Sequence, residues 1–352
     1  MSYAFAGNAT SPSLDAFAHE LARALERAGF QPSASADPSD ADLVLNLVDQ
    51  EAPRAFRRKA KGTYSATLYE LPEEPENVLK SSYPLLVRSL ANIVMLYVPG
   101  KAVWFTTMER GTYRVEPDPD EVIARLAPLA RSRLVIENDF RTDLEPELWG
   151  GDDVTEDIKA AGKRMGDLDL LPAPFPIEEL LDERDLRHVM RLYGVGGLSY
   201  GNLSARLDAD RFWMSASGVD KSQLDGIGRD ILLVSGYDAV NGRMVISVPP
   251  AVEPRRVSVD AIEHWMIYQA HPDVGAILHV HAWVEGIAAT QINYPCGTEE
   301  LARSVAELID QEPDPAHAVI GLRNHGITAT GDTLAEILDR IEPRVLRQVP
   351  MN

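Results

Sequence analysis

The sequence predicts an α/β protein in two parts, and three observations carry that reading. Its 352 residues exceed one ordinary domain at about 150 residues each. Apolar runs of strand length alternate with stretches whose apolar residues recur every three or four positions, as in layered folds. Between two such series lies a polar stretch bearing Gly and Pro, residues 143–176, which reads as a linker region. The first part, an α/β domain of unassigned role, is therefore placed at residues 1–142 and the second at 177–352.

In the first part, Tyr3 to Ala6 is a short apolar strand. Leu14 to Ala28 is a helix because Phe17, Leu21, Leu25 and Ala28 fall on one face. Asp42 to Val48 reads as a buried strand and Tyr64 to Glu70 as a second. Pro84 to Val98 is apolar throughout and reads as a helix followed by a strand. Val103–Thr107 and Thr112–Val115 flank Met108-Glu109-Arg110-Gly111, a hairpin turn. Pro119 to Ala130 is a helix. Gly7 to Ser11 occupies the place of a phosphate loop but lacks Gly-x-Gly-x-x-Gly, so no nucleotide is assigned.

The linker region holds Trp149-Gly150-Gly151-Asp152-Asp153, a short polar helix candidate, and the proline cluster Leu171 to Pro176. The second part opens with a helix from Ile177 to about Tyr193 and a glycine-rich stretch, Gly194–Gly201. Strands follow at Leu203–Leu207, Phe212–Ser215, Ile231–Val234 and Met244–Val248. A helix from Val259 to about His271 stops at Pro272. Then come a strand at Ala276–His281, a helix at Glu299–Asp310, a hairpin through Ala318–Ala329 and a last helix from Thr333 to Leu346.

Charge and composition exclude some partners. Basic residues number 34 against 54 acidic ones, a formal charge of −20. A phosphate backbone or an anionic membrane needs clustered Lys and Arg, so neither is an expected partner. The lone Cys296 allows no internal disulfide and fits a reducing, cytoplasmic setting. Met1 to Thr10 has neither the basic region nor the apolar core of a signal peptide.

Six of the eight histidines lie between His264 and His325. His279 and His281 stand at i and i+2 of a strand, so their side chains share a face. Two imidazoles so placed either chelate one metal ion or are half-buried strand residues. His325 sits in Arg323-Asn324-His325-Gly326, a turn between two apolar strands. Asp260 lies in the first turn of the preceding helix, where the dipole also favours an acid after the N-cap candidate Ser258. Three imidazoles and a carboxylate suit Zn2+, with Mn, Fe or Co as alternatives. His264, one turn after Asp260, reads as a helix-face partner; His19, His188, His271 and His317 read as structural or surface residues.

Five ordered motifs between Ile177 and Ile341 resemble the class II aldolase/adducin family, with L-fuculose-phosphate aldolase and L-ribulose-phosphate 4-epimerase as its best-known members. They are Gly201-Asn202-Leu203-Ser204-Ala205-Arg206, Ser215-Ala216-Ser217-Gly218-Val219, Ser258-Val259-Asp260 with His264 and Tyr268, Ala276 to His281, and Leu322-Arg323-Asn324-His325-Gly326. The resemblance implies an α/β/α layered domain with a central, mainly antiparallel sheet. It implies a metal held by His279, His281, His325 and Asp260, with Asp260 also the catalytic proton-transfer residue. Asn202, Ser217, Gly218 and Ser258 would line a phosphate or polar substrate pocket. The implied activity is that of an aldolase-type lyase on a small hydroxy-carbonyl compound such as a sugar phosphate, through a metal-stabilised enediolate. Epimerase, dehydratase and adducin-like scaffold roles are the alternatives. A homo-oligomer with sites near subunit contacts is also implied.

Four features depart from the pattern. Asp260 replaces the aldolase glutamate, as in the epimerase branch. Val259 replaces a pocket serine; Arg255 and Arg256 either compensate or are surface charges. The segment Thr290–Thr298 is short, with Tyr294 as either a site residue or a strand-end packing residue. The chain given runs only to Asn352, soon after the last helix, so the tyrosine-bearing tail of aldolases and epimerases is expected to be missing.

Overall fold

The computed structural model describes residues 1–60, 62–108, 111–172, 177–193 and 200–351. The glycine-rich stretch 194–199, the proline cluster 173–176 and the turn residues Glu109 and Arg110 lie outside them. The chain forms two compact units: residues 1–131 with the helices of 177–193, and residues 132–172 with 200–350.

The first unit is built on β1 (Ser2–Gly7), β2 (Gln31–Pro32), β3 (Leu43–Leu47), β4 (Tyr64–Glu70), β5 (Ile93–Val98), β6 (Ala102–Thr107) and β7 (Gly111–Val115). Their order is β2-β1-β3-β4-β5-β6-β7, parallel through β5 and antiparallel beyond it. All five residues of β3 are buried; four are apolar, and the amide of the fifth, Asn46, donates to the Arg54 carbonyl at 2.8 Å. The helix Pro12–Arg27 buries Leu14, Phe17, Leu21 and Leu25 along one stripe. At its N-terminus the Ser11 and Ser13 hydroxyls donate to the Glu70 carboxylate at 2.9 and 2.6 Å, which sets a negative charge of the protein close to the positive end of the helix. The helix expected from Pro84 starts earlier, at Val78, and carries Pro84 inside it. Asn77 accepts from Lys80 N–H at 2.8 Å and fixes that start.

The second unit contains β8 (Glu137–Arg141), β9 (Asn202–Arg206), β10 (Phe212–Ser215), β11 (Ile231–Asp238), β12 (Arg243–Ser247), β13 (Ala276–Val280), β14 (Val319–Leu322) and β15 (Gly326–Gly331). They form one sheet in the order β14-β15-β13-β9-β10-β11-β12-β8. Every pairing is antiparallel except β12 with β8. This is the mainly antiparallel sheet the sequence implied.

The segment read as a linker is instead part of this unit. The helix Asp153–Asp167 is closed at its start by a reciprocal Asp152–Thr155 capping box. Ile158, Ala161 and Met165 on its inner face join the unit's core, and Asp152 accepts from the Trp213 indole at 2.9 Å. The polar outer face of this helix disguised it as connection. Conversely, the helices at 177–193 cluster with the first unit, where the Arg88 guanidinium meets the buried Asp185 at 2.7 Å. The last helix is also shorter than expected, Leu334–Ile341, because Pro343 follows its C-cap Glu342; beyond that stop Leu346 bridges Trp283. Among the described residues no helix is long and apolar enough to cross a membrane.

Candidate metal centre

The register of three strands builds the site. His279 on β13 is paired with Asn202 on β9 and with Thr328 on β15, so the three side chains form a row on one sheet face. His281 follows the last residue of β13. His325 sits in the β14–β15 turn beside Asn324, whose φ is 58°. That turn closes onto the strand end: a Cβ at Gly326 would stand 2.2 Å from the Val280 carbonyl oxygen, so only glycine permits the approach.

All three imidazoles are buried, and one ring nitrogen of each falls within 4.8 Å of the other two. The Nδ1–H of His279 donates to the Ile327 carbonyl at 3.0 Å, which places its lone pair on Nε2. The Nε2 atoms of His281 and His325 are 3.0 Å apart. At that distance two nitrogens either share one proton or turn both lone pairs toward one cation. Tetrahedral zinc, with Zn–N of about 2.0–2.1 Å, separates nitrogen ligands by roughly 3.3 Å, so the donor set fits such an ion.

Asp260 stands outside this cluster. It is the N-cap of the helix Ala261–Ala270, which begins two residues later than expected, and its side chain does not cap the helix. It accepts instead from the Asn202 amide at 2.8 Å. The carboxylate is thus tied to the row of site residues without being grouped with the imidazoles. Ser217, Gly218 and Ser258 come together through an antiparallel bridge of Ala216 with Val257. The N–H groups of Ser217 and Ser258 are spent on Arg256 and Ser215 carbonyls at 2.9 and 3.2 Å. These two amides are therefore committed within the protein. Arg255 is an exposed residue that pairs with Asp230 at 3.5 Å. Tyr294 is half-buried and packs against the unit's core.

Three site neighbours escaped the sequence reading. Lys221 is only 3% exposed. Burial pulls its ammonium down to about 8, while the negative charge of Asp260 opposes that pull. Its signal was the position just after Ser217-Gly218, but sequence cannot show that a lysine is buried. Cys296, read above only as the lone cysteine, has its sulfur 3.5 Å from His325 Nε2. Glu263 is 2% exposed and accepts from the Thr328 hydroxyl at 2.6 Å. Burial and the charge of Asp260 push its carboxyl from 4.5 up to about 8. An acid set among Ala261, Ile262, Trp265, Met266 and Ile267 was the available signal. His264, by contrast, is the neutral helix-face partner expected: burial and nearby His279 push it down to about 3, and Nδ1 bonds Ser204 at 2.7 Å.

Two consequences can be checked. Between pH 4.5 and about 8 the folded chain keeps a proton on Glu263 that the unfolded chain releases. The stability of the metal-free protein should therefore fall as pH rises through that window, and Glu263→Gln should flatten the decline in a series of urea unfolding curves. Gly201 has φ of 76°, and a Cβ there would lie 2.5 Å from the His279 carbonyl oxygen. Gly201→Ala should cost at least about 2 kcal/mol, read as a lower urea midpoint, because it forces both backbone strain and displacement of β13.

A buried trio of imidazoles at the end of an antiparallel sheet, close enough together to hold one metal ion, is the candidate centre of this α/β protein. The model for the "Class II Aldolase and Adducin N-terminal domain" matches residues 185–293 and 286–343. The methylthioribulose-1-phosphate dehydratase of Xanthomonas campestris pv. campestris strain 8004 is 32% identical over 173 residues, spanning 40% of this chain and 73% of that protein. The chain belongs to the class II aldolase/adducin family. The dehydratase of the same name from Marinobacter nauticus is 38% identical over 81 residues; that match spans 23% of this chain and only 33% of the relative. Among solved structures, L-fuculose-1-phosphate aldolase from Thermus thermophilus is 20% identical, covering 54% of this chain and 90% of that one at a TM-score of 0.34.

Proposed function

We propose that this chain is a metal-dependent lyase acting on a small phosphorylated hydroxy-carbonyl compound, and that it eliminates water. The observation that carries the reading is the convergence of three buried imidazoles within 4.8 Å. Family membership supports lyase chemistry, and the relatives named as methylthioribulose-1-phosphate dehydratases favour dehydration over carbon–carbon cleavage. A divalent cation held by His279, His281 and His325, zinc by the chemistry of the donors, would supply Lewis acidity toward the carbonyl and adjacent hydroxyl oxygens. Asp260, oriented by Asn202, takes the proton from the carbon beside the carbonyl. Lys221, buried and within the field of the Asp260 carboxylate, returns a proton to the departing hydroxyl, which leaves as water. The Ser217 and Ser258 hydroxyls bind the phosphate end.

The test is to incubate zinc-loaded protein with methylthioribulose 1-phosphate and, separately, with L-fuculose 1-phosphate, and to follow products by mass spectrometry. A product lighter by one water supports the proposal. Release of an aldehyde fragment would replace dehydration with the aldolase reaction. Inertness across a broad panel of phosphorylated and free hydroxy-carbonyl compounds would overturn the enzyme reading.

A further inference from the structure

The helix Ala261–Ala270 brings two acids to the same sheet face, and they reach opposite sides of one histidine. Asp260 bonds Asn202 on β9, and Glu263 bonds Thr328 on β15. Asn202 and Thr328 are the two cross-strand partners of His279 on β13. Thr328 is fully buried, and its hydroxyl gives its proton to Glu263 Oε1 at 2.6 Å. Its oxygen lone pairs therefore remain to accept, and the Nδ1 of His279 is 3.5 Å away. That contact is the longer arm of a three-centre bond whose shorter arm is the Ile327 carbonyl at 3.0 Å.

We propose that Glu263 is a positioning residue of the metal centre: through the Thr328 hydroxyl it fixes the ring orientation of His279, whose tautomer the Ile327 carbonyl sets. A buried carboxyl is costly without hydrogen bonds, and packing alone would be served better by an apolar side chain. Its Oε2 has no hydrogen-bond partner among the described residues, so the bond to Thr328 is the contact that gives the acid a purpose there. An acceptor on the far side of a ligating imidazole raises the basicity of the ligating nitrogen and removes the freedom of the ring to rotate. Asp260 and Glu263 thereby divide the work of one helix: the first faces the substrate side and the second holds a ligand.

The inference rests on the metal reading proposed above, and the experiment separates the two. Zinc affinity of the full chain would be measured by competition with a chromophoric chelator. The parent would be compared with Thr328→Val, Thr328→Ser, Glu263→Leu, Glu263→Gln and the Thr328→Val/Glu263→Leu pair. Thr328→Val and Glu263→Leu should each weaken zinc binding about 10- to 100-fold. The conservative Thr328→Ser and Glu263→Gln should restore affinity to within about threefold, and the pair should be no weaker than its worse single member, because one chain of bonds is broken once. In the metal-free protein, the nitrogen NMR signal of His279 Nδ1 should move in Thr328→Val and Glu263→Leu, but hold in the conservative variants. Should Glu263→Leu fail to fold, Thr328→Val carries the test, since it exchanges a hydroxyl for a methyl of similar size. A parent that binds zinc while all variants match it overturns the role of Glu263 alone. A parent that takes no zinc overturns the metal reading and this inference with it.

Discussion

His279→Ala should empty the centre. Protein purified without chelator is expected to hold about one divalent metal per chain by elemental mass spectrometry, and the variant well under a tenth of that. The magnitude follows from what one ligand contributes. Zinc binding in four-ligand structural sites is worth about 10–16 kcal/mol, or roughly 3 kcal/mol per ligand, so losing one imidazole weakens binding about a hundredfold or more. His279 is the ligand to remove first. It lies at the centre of the row between Asn202 and Thr328, and its ring is the one whose tautomer the Ile327 carbonyl fixes. Alanine there leaves the β13 ladder intact, because the strand is paired on both sides through its backbone. Turnover should fall with the metal. A parent chain without metal, even after reconstitution, would favour the binding or scaffold role found elsewhere in the family.

Asp260→Ala should give the complementary result, with metal retained and turnover reduced about 10²- to 10⁴-fold, the span of a lost general base. The physical ground is its place: tied to Asn202 at 2.8 Å and outside the imidazole cluster. Metal content and rate measured on the same preparation decide the matter. Loss of metal with Asp260 would make it a fourth ligand and shift proton transfer to another group, with Lys221 the first to examine. Asp260→Asn sharpens the comparison, since it keeps the size and one acceptor oxygen but cannot take a proton. Asn202→Ala should lower the rate by less, because it frees the carboxylate to turn without removing it.

Much of this was legible in the chain. Short apolar runs placed β3, β4 and β10, because strands buried along their length need few polar residues, and the stripe of Leu14, Phe17, Leu21 and Leu25 placed the first helix, because burial of one helix face imposes that period. The His-x-His spacing put two imidazoles on one face for the same reason. Elements whose buried faces are narrow or polar in composition were read less well. The helix Asp153–Asp167 passed for linker because Ile158, Ala161 and Met165 are spaced among charges. The start of the helix at Val78 was hidden by a proline that the fold tolerates inside it.

The sequence by itself determined the two-part α/β character, the family motifs and the three histidines, since strand period and donor chemistry are local properties of a chain. Only the tertiary structure decided that β13 lies between β9 and β15, which is what sets Asn202 and Thr328 on either side of His279. It also decided that Asp260 bonds Asn202 and is not grouped with the three histidines, that Glu263 and Lys221 are buried, and that Cys296 reaches His325. Each of those depends on the register and close approach of segments tens of residues apart. Such contacts are fixed by packing and backbone pairing across the sheet, and no local pattern of residues carries them.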